Sequence, residues 1–413
     1  MVRLYAMMIT DFPPELERLI VQRTLGEEAA RQFEQGLLPN RVLAPLARAV
    51  AELSARFTTE RNLLPAKYTD SKAARAAYLL YFLPANFPKT ALLLDELAAH
   101  PDSLLQKEHI RILDLGSGVG TATVSALNYL ARKTQVRSIE AVAVDSSAEA
   151  LAECRSLATE FAQLLEDESP NLSFKLATIV KSLKVDSLDG INGSFDIIIA
   201  SNLLNELFSG QEGSLRDRAR FIKSVAQKFL AADGSILIIE PSLRSTTREL
   251  QMVRDLVVAE SELNIYSPCL FDDLCPMLRE GTERDWCHSA YPWHRPQTIK
   301  QIDQMIGNRK ESLKFAYMIF RRDGKQLRDA VSNLPGSLWR AVGDMQTEKG
   351  RSFIYLCGEG SYRRHTLLKR DRTPENRAFE DIERGDIASI SGYIEKEKET
   401  RIGRETTVTK AKE

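Results

Sequence analysis

The chain has 413 residues, of which 56 are Lys or Arg and 57 are Asp or Glu, so its formal net charge is −1 at pH 7. No overall field therefore draws the protein to nucleic acid, and any such binding must come from a local patch. The hydrophobic fraction of 43% and the charged fraction of 27% are typical of a globular protein. The length predicts more than one compact core.

The N-terminal segment MVRLYAMMITDF lacks the long apolar core of a secretory signal and the Arg- and Ser-rich pattern of a transit peptide. No stretch of the sequence approaches the ~18 apolar residues of a membrane span. We therefore expect a protein of a reducing cytoplasm without a membrane partner. Clustered cysteines in that compartment are more often metal ligands than disulfides.

Residues 1–104 predict a helical region that covers the next domain. Apolar residues recur at helical spacing in the segments 16–21 and 47–57. The later segment 76–97 contains Pro84 and Pro88, and it predicts two helices with a break between them.

Residues 105–360 predict an α/β domain, because five short apolar runs alternate with helical stretches. These runs are RILDLG, EAVAVD, SFKLATIV, FDIIIA and SILIIE. Such alternation is typical of a parallel, doubly wound sheet with right-handed crossovers. Two further runs, LKFAYMIF and RSFIYLC, predict two more strands. Residues 361–413 predict a basic strand and a charged C-terminal tail, and we expect the end of this tail, ETTVTKAKE, to be mobile.

The first predicted strand ends in a glycine-rich turn that is typical of ligand binding. Glycines permit a tight turn and a close approach of the backbone to a ligand, and the following helix offers free N–H groups. An acid at the end of the second strand can bond ribose hydroxyls, and an asparagine follows the fourth strand at the same sheet edge. The candidate cofactor-binding residues are Asp114, Gly116, Gly118, Gly120, Asp145 and Asn202.

The pattern D-L-G-x-G-x-G with a downstream acid resembles the class I S-adenosylmethionine-dependent methyltransferases, over about residues 105–245 and the two later strands. The resemblance implies a Rossmann-like sheet of seven strands, with the glycine loop at the methionine part of the cofactor and Asp145 at the ribose. Asp114 would hold the amino-acid end of the cofactor through the loop. The alternative interpretation is a ligand-free methyltransferase fold.

The catalytic residues stay unknown at this point. The Pro-Pro-aromatic motif of many amino-methylating enzymes is missing after the fourth strand, where the sequence reads SNLLNE. Asn202, Asn205 or Glu206 could orient a methyl acceptor, but each could equally cap or solvate a helix.

Three of the five cysteines, Cys269, Cys275 and Cys287, lie within nineteen residues, in a predicted insertion over residues 264–296. Cys154 shares a helical face with apolar residues and predicts core packing. If the sheet ends as in class I methyltransferases, with LKFAYMIF as a parallel sixth strand and RSFIYLC as an antiparallel seventh, Cys357 arrives at the same sheet edge. The predicted metal ligands are therefore these three cysteines and Cys357.

Four thiolates suit either zinc or an iron–sulfur cluster. The gaps of five, eleven and sixty-nine residues between the cysteines lack the tight knuckles of zinc sites. Cys275-Pro276 is similar to the Cys-Pro that ends cluster-binding runs, so we favour a [4Fe-4S] cluster and keep zinc, or unliganded thiols, as alternatives. His288 is a rival ligand, although it adjoins Cys287.

The cysteine pattern within this core resembles the methyltransferase-like ribosomal small-subunit proteins, namely the mitochondrial small-subunit assembly factors and their bacterial relatives. The resemblance runs from about Tyr78 to Ile387. It departs at Leu270-Phe271, where the family has Pro-His, and in a longer stretch between Cys275 and Cys287. It implies binding to the small subunit and its rRNA, whereas methyl transfer stays open. The matching residues are Leu83–Ala85, DLGSGVGTA, ASNLLNEL, Glu240-Pro241, Trp286-Cys287-His288, LKFAYMIF and Arg384–Asp386.

A basic patch directly after Cys357 is consistent with an RNA partner, and we expect no DNA partner. Three aromatic residues of the cysteine segment, Trp286, Tyr291 and Trp293, offer faces for unpaired bases. The other interpretations are a small-molecule or protein methyltransferase with a structural zinc, and an assembly factor without catalysis. The candidate RNA-binding residues are Arg363, Arg364, Lys369, Arg370 and Arg372.

Overall fold

The structure is a computed structural model that describes residues 11–36, 38–58, 71–185, 187–208, 213–397 and 399–411. Most of the segment MVRLYAMMITDF, on which the targeting prediction depends, lies outside the described residues. None of the described helices combines the length and the apolar character that a membrane crossing needs.

The N-terminal region folds into helices that pack on the next domain, and their buried apolar residues share one core with it. The predicted break near Pro84 and Pro88 is wrong. Pro84 lies in the first turn of its helix, where an N–H has no helical partner, and a π-helical turn at Tyr78–Phe82 joins this helix to the preceding one. The helices are α1 (Pro14–Leu25), α2 (Glu27–Glu34), α3 (Asn40–Thr58), α4 (Lys72–Ala77) and α5 (Leu83–Ala98).

The central domain is a sheet of eight described strands in the order β3-β2-β1-β4-β5-β8-β6, with β7 also pairing with β8. The first five strands are parallel and β8 runs antiparallel to β5. The strands are β1 (His109–Leu115), β2 (Ser138–Asp145), β3 (Ser173–Val180), β4 (Phe195–Ser201), β5 (Leu230–Pro241), β6 (Asn264–Ser267), β7 (Ser289–Pro292) and β8 (Ser312–Arg321).

Helices connect these strands as an α/β sheet requires. The α/β prediction is confirmed, because five parallel strands alternate with helices and the antiparallel β8 completes the order of a class I methyltransferase sheet. The helices are α6 (Thr121–Lys133), α7 (Ala148–Leu165), α8 (Ser214–Phe229), α9 (Arg244–Glu260), α10 (Pro276–Glu280) and α11 (Gln297–Ile306).

The prediction for the last two strands of this sheet is wrong. The run LKFAYMIF is the antiparallel strand β8, inserted between β5 and β6, and not a parallel sixth strand. The sixth strand is Asn264–Ser267, which has only four residues and no apolar run to reveal it. β8 is buried along almost its whole length, and its continuous apolar run is the pattern typical of parallel strands, although this strand is antiparallel to both neighbours.

The run RSFIYLC belongs to a second sheet, which has the order β14-β15-β12-β11-β9-β13-β16, with β10 pairing with β11. Because this sheet contains strands from both sides of residue 360, the structure does not agree with a domain boundary there. The C-terminal segment predicted to be mobile contains the strand Thr407–Lys410, which pairs with β13. The described strands are β9 (Ser337–Ala341), β10 (Gln346–Glu348), β11 (Arg351–Gly358), β12 (Ser361–Leu368), β13 (Ile387–Ser391), β14 (Ile394–Glu395), β15 (Glu399–Ile402) and β16 (Thr407–Lys410).

A buried carboxylate on α5 joins the helical layer to both sheets. Glu96 Oε1 accepts hydrogen bonds from Arg340 Nη2 of β9 and from Tyr317 Oη of β8, each at 2.6 Å. Its Oε2 accepts from Ser267 Oγ of β6 at 2.6 Å, and its backbone carbonyl accepts from Tyr266 Oη at 2.7 Å. The side chains of Arg340 and Glu96 are only 5% and 11% exposed, so this ion pair is screened little by solvent.

We expect Glu96→Ala to lower the free energy of unfolding by about 3–5 kcal/mol, because it leaves the Arg340 charge buried without its partner. Chemical denaturation measures the change. The double variant Glu96→Ala/Arg340→Met should recover part of the loss, since the uncompensated charge is gone.

The matched control is Glu28→Ala, which removes the exposed pair between Arg31 and Glu28. Exposed pairs contribute less than about 1 kcal/mol, so this variant should unfold like the wild type. A Glu96→Ala protein as stable as the control would contradict the role of Glu96.

Candidate cofactor and cysteine sites

The glycine loop wraps the carboxylate at the end of β2. Gly116 N and Ser117 N donate to the Val144 carbonyl at 2.8 and 3.1 Å. Asp145 Oδ2 accepts from Gly118 N, and its Oδ1 accepts from Ser147 N, both at 2.9 Å. The side chain of Asp145 therefore holds the loop and the start of α7 at the carboxyl edge of the sheet.

The three glycines of the loop have left-handed φ values of +70°, +52° and +88°, but they are required for different reasons. A Cβ on Gly120 would lie 2.5 Å from Cys154 Sγ, and a Cβ on Gly116 would lie 2.8 Å from Leu203 Cδ1. A Cβ on Gly118 would meet no described atom within 4 Å. Gly118 is therefore the glycine of the loop that faces open space.

Asp114 does not point into that space. Its Oδ2 accepts from the backbone N and the Oγ1 of Thr123, at 3.2 and 2.7 Å. Burial raises the pKa of Asp114 to about 6, against the effect of those hydrogen bonds. Asp114 thus anchors the first turn of α6, and it can affect a bound ligand only indirectly, by holding the glycine loop in place.

Asn202 follows β4 with a left-handed φ of +55°, which is uncommon for a residue with a side chain. Its backbone N donates to the Ile239 carbonyl of β5 at 2.7 Å. Asparagine adopts this conformation more readily than most residues, and left-handed residues other than glycine cluster at functional sites. The structure thus brings Asn202 to the same sheet edge as the glycine loop.

Glu240, at the end of β5, determines how the loop after β4 is held. Its carboxylate accepts from Leu204 N at 2.9 Å and from the side-chain amide of Asn205. Burial raises the pKa of Glu240 to about 7, and the nearby Glu206 adds to the shift. Asn205 therefore bonds to Glu240, a function that its position in the sequence did not reveal.

The helical layer adds three polar side chains beside the glycine loop, all missed by the sequence analysis. Lys89 Nζ donates to Asn86 Oδ1 at 2.6 Å, and burial lowers the pKa of Lys89 to about 7, with Lys310 contributing. Burial raises the pKa of Tyr78 to about 12, and Tyr78 also hydrogen-bonds to Asn86. The one available signal was a lysine inside the apolar run FPKTALLL.

The four predicted ligand cysteines line one largely apolar cavity of about 70 Å³ between the two sheets. Cys269 follows β6, Cys275 precedes α10, Cys287 precedes β7 and Cys357 lies near the end of β11. Cys357 reaches the cavity from the second sheet, so the topology on which the prediction rested is wrong, although all four cysteines line this one cavity. Cys154 is completely buried against Gly120, which confirms its prediction as a core residue.

Polar groups from α9 fix the cysteine segment around the cavity. Gln251 Nε2 donates to Cys275 Sγ at 3.2 Å, and Cys275 N donates to Asp255 Oδ1 at 2.9 Å. Arg254 is completely buried and donates to the Phe271 carbonyl at 3.0 Å. Burial, with smaller contributions from Cys269 and Cys275, raises the pKa of Cys287 to about 12.

The cavity is not a preformed site for a single ion. Within the described residues, no group of three or more Cys, His, Asp or Glu side chains has an arrangement that could hold a metal ion. His288 also lines the cavity, and its Nδ1 is buried without a hydrogen-bond partner. Burial lowers the pKa of His288 to about 4, so its ring is neutral at physiological pH.

The predicted basic patch does not form one surface. Arg364 and Arg372 are in ion pairs with Glu399 and Glu380, while Arg363 lies opposite the buried Leu356. Lys369 and Arg370 are exposed, seven and eight positions beyond Tyr362, which pairs with Cys357. At ~3.3 Å per residue, the stretch of β12 from Tyr362 to Leu368 is about 20 Å long, and both cations lie beyond its far end, away from the cysteine cavity.

The three aromatic residues of the cysteine segment, residues 264–296, pack against or hydrogen-bond to the rest of the protein. Trp293 is buried and its Nε1 donates to the Lys310 carbonyl at 2.8 Å. Trp286 Nε1 donates to the Ser242 carbonyl at 3.1 Å, and the Tyr291 ring stacks on Phe315 at 5.9 Å. The prediction that these rings offer free faces to bases does not agree with this packing.

Solved structures with similar folds include several methyltransferases. An O-methyltransferase family protein from Burkholderia thailandensis has 14% identity, covers 69% of this chain and 72% of its own, and gives a TM-score of 0.33. A Podospora anserina methyltransferase bound to SAH has 15% identity, coverages of 55% and 84%, and a TM-score of 0.28. With such low scores, the methyltransferase-type fold rests on the strand order.

No curated protein matches this chain significantly. A family model described as mitochondrial small ribosomal subunit Rsm22 matches residues 72–388, which is most of the chain and includes the glycine loop and all five cysteines. The chain therefore belongs to the Rsm22 family.

Proposed function

We propose that this protein binds S-adenosylmethionine at the glycine loop, carries a structural iron–sulfur cluster on its four converging cysteines, and associates with the small ribosomal subunit through its rRNA. The observation that carries the first part is the open space at Gly118, at the carboxyl edge of a parallel sheet. The family described as a small ribosomal subunit protein supports the partner.

The residues around the loop suit this cofactor. The backbone at Gly118 lets the ligand approach closely, and the Asp145 carboxylate is placed to accept from ribose hydroxyls at the end of β2. The N–H groups at the start of α6, apart from that of Thr123, which donates to Asp114, suit the carboxylate of the methionine part. Asn202 supplies a further polar side chain at the end of β4.

We expect Gly118→Val to weaken S-adenosylmethionine binding by about tenfold or more, or about 1.4 kcal/mol. The new side chain would occupy the open space, and valine tolerates a left-handed φ poorly. Isothermal titration calorimetry with S-adenosylmethionine or its demethylated product measures the effect.

The matched control is Gly190→Val, at an exposed glycine that also has a positive φ of +83° and open space around it. It introduces similar strain away from the loop, so its affinity should equal that of the wild type. Equal affinities for Gly118→Val and the wild type, or no binding by the wild type, would contradict the cofactor proposal.

The cysteine cavity suits a cluster better than a single zinc ion. Zinc needs sulfurs about 2.3 Å from one centre, and the described residues show no such group. The cavity of about 70 Å³ is several times the ~10–15 Å³ that one water needs, so it has room for a polyatomic group. Four thiolates are the donor set of a [4Fe-4S] cluster.

The chain's own contribution would be to hold this cluster between two sheets. Cys269, Cys275 and Cys287 would ligate from the methyltransferase-type domain and Cys357 from the second sheet. Arg254 and Arg340 also line the cavity, and they act to lower the pKa of Cys275 and of Cys287 respectively, against the larger effect of burial. When bound, the cluster would supply a structural crosslink between the domains.

We expect Cys357→Ser to lower both the iron content and the thermal stability, because ligand binding is coupled to folding. The measurement is iron and acid-labile sulfide per protein after anaerobic purification, together with the melting temperature. Cys154→Ser is the control, since Cys154 packs in the core away from the cavity, and its iron content should not change. Stoichiometric zinc without iron would refute the cluster.

The exposed cations after β12 are the part of the basic patch best placed to contact rRNA phosphates. Lys369 and Arg370 show no ion pair in the described part of the chain. Arg363, Arg364 and Arg372 would contribute less, because of the ion pairs and packing described above.

We expect Lys369→Glu/Arg370→Glu to weaken association with small subunits and to make its salt dependence shallower by about 1.4 log units per log unit of salt, at ~0.7 per lost phosphate contact on a single strand. Co-sedimentation at several salt concentrations provides the measurement. Arg41→Glu/Arg48→Glu makes the same charge change at exposed positions of α3 and should bind normally. Equal binding by both double variants would contradict the patch.

One observation favours a second candidate, an assembly factor that binds the cofactor without turnover. Asn205 was a candidate for orienting a methyl acceptor, yet its side-chain amide bonds to the buried Glu240. A methyl product on rRNA or protein in the presence of small subunits distinguishes an enzyme from this second candidate.

A further inference from the structure

The second sheet has the strand connections of an oligonucleotide-binding (OB) barrel. β9 runs antiparallel to both β11 and β13, β11 runs antiparallel to β12, and β12 runs parallel to β15. Short helical turns at Lys369–Asp371 and Arg377–Asp381 separate the third strand of this set from the fourth. Barrels of this type bind oligonucleotides on the outer face of their second and third strands, which are here β11 and β12.

The side chains of β11 and β12 alternate between a core and an outer face. Ile354, Leu356 and Leu367 point into a hydrophobic core that also contains Trp339. The residues between them point outward, and the register places Phe353 opposite Thr366 and Tyr355 opposite Arg364. We call the outer face the surface formed by Arg351, Phe353, Tyr355, Tyr362 and Arg364.

The outward-pointing residues at the Cys357 and Tyr362 end of these strands are covered by the segment that contains the other three cavity cysteines. Cys357 lines the cavity, and Tyr362 N donates to Glu280 Oε2 of the cysteine segment at 2.8 Å. Tyr355 is 38% exposed, and it is the one aromatic residue among the exposed large hydrophobic side chains of the described residues. The remainder of the outer face therefore presents the Tyr355 ring to solvent, with the half-buried Phe353 beside it.

Arginines and rings of the outer face stack on one another. The Tyr355 and Tyr362 rings are stacked at 5.3 Å with an interplanar angle of 22°. The guanidinium groups of Arg351 and Arg364 lie 5.7 and 5.4 Å from the centre of the Phe353 ring. Both arginines are also paired with carboxylates, Arg351 with Glu348 and Arg364 with Glu399.

We propose that the outer face binds an unpaired strand of RNA by stacking its bases on Tyr355 and Phe353. This inference rests on the proposed association with small-subunit rRNA and assigns it a surface and an RNA form. Unpaired bases present the faces that stack on aromatic rings, whereas the bases of a duplex are already stacked on each other.

The pairing of the arginines has a consequence for affinity. Because their charges are offset by Glu348 and Glu399, the outer face gains little from phosphate neutralisation, and stacking carries most of the binding free energy. Lys369 and Arg370, which follow β12, would contact the phosphate backbone of the bound RNA strand. Loss of the Tyr355 ring should therefore reduce affinity without changing the salt dependence, and loss of those two cations should change both.

The test uses the full-length protein and a fluorescently labelled 12-nucleotide oligouridine, with a 12-base-pair RNA duplex as the comparison. Tyr355→Ala should weaken oligouridine binding about 5- to 150-fold, the equivalent of one stacked base. Tyr355→Trp should restore it, because a ring is again present. Ile394→Ala removes an exposed apolar side chain from β14 of the same sheet and should have no effect.

Duplex binding as tight as oligouridine binding would overturn the inference, and so would unchanged affinity in Tyr355→Ala. If Tyr355→Ala lost small-subunit co-sedimentation but kept oligouridine binding, the face would contact a protein, which also overturns it. Co-sedimentation of the wild type is measured separately. A wild type that binds oligouridine through Tyr355 but not small subunits would refute the proposed partner and keep the RNA face.

Discussion

The buried ion pair between Glu96 and Arg340 is the constraint on which the arrangement of this protein depends. Its carboxylate comes from the helical layer, its guanidinium from the second sheet, and Tyr317 and Ser267 of the central sheet complete it. Removing one partner of such a buried pair strongly destabilises the folded protein, because the other charge stays buried without compensation. This one group of buried polar contacts therefore fixes the positions of the helical layer, the central sheet and the second sheet relative to one another.

The cysteine cavity lies beside that centre, because Tyr317 and Arg340 also line it. Its thiols come from both sides of the contact between the two sheets, with Cys357 alone on the second sheet. A cluster held there would secure the same contact that the ion pair orients. On this arrangement, loss of the cluster would weaken the position of the second sheet, and so of the outer face around Tyr355.

The cofactor edge is organised by backbone conformation. The left-handed Gly118 directs its N–H at Asp145, and Asn202 adopts a similar left-handed φ directly after the neighbouring strand β4. The helical layer then covers this edge with Tyr78 and Lys89, whose pKa values burial shifts in opposite directions, up for the phenol and down for the ammonium. Charged groups at this edge therefore lie in a partly desolvated setting, where charge interactions are stronger than in water.

The sequence by itself determined the parallel half of the central sheet, the glycine loop and the core position of Cys154, because those features depend on local periodicity and on glycines that only a tight turn needs. The tertiary structure decided that LKFAYMIF is antiparallel, that Cys357 comes from a second sheet, and that Asn205 faces Glu240. Strand direction and the partners of a polar side chain depend on which distant segments pack together. No pattern along the chain records that packing, because the continuous apolar run LKFAYMIF is typical of a buried parallel strand and yet its distant neighbours make it antiparallel.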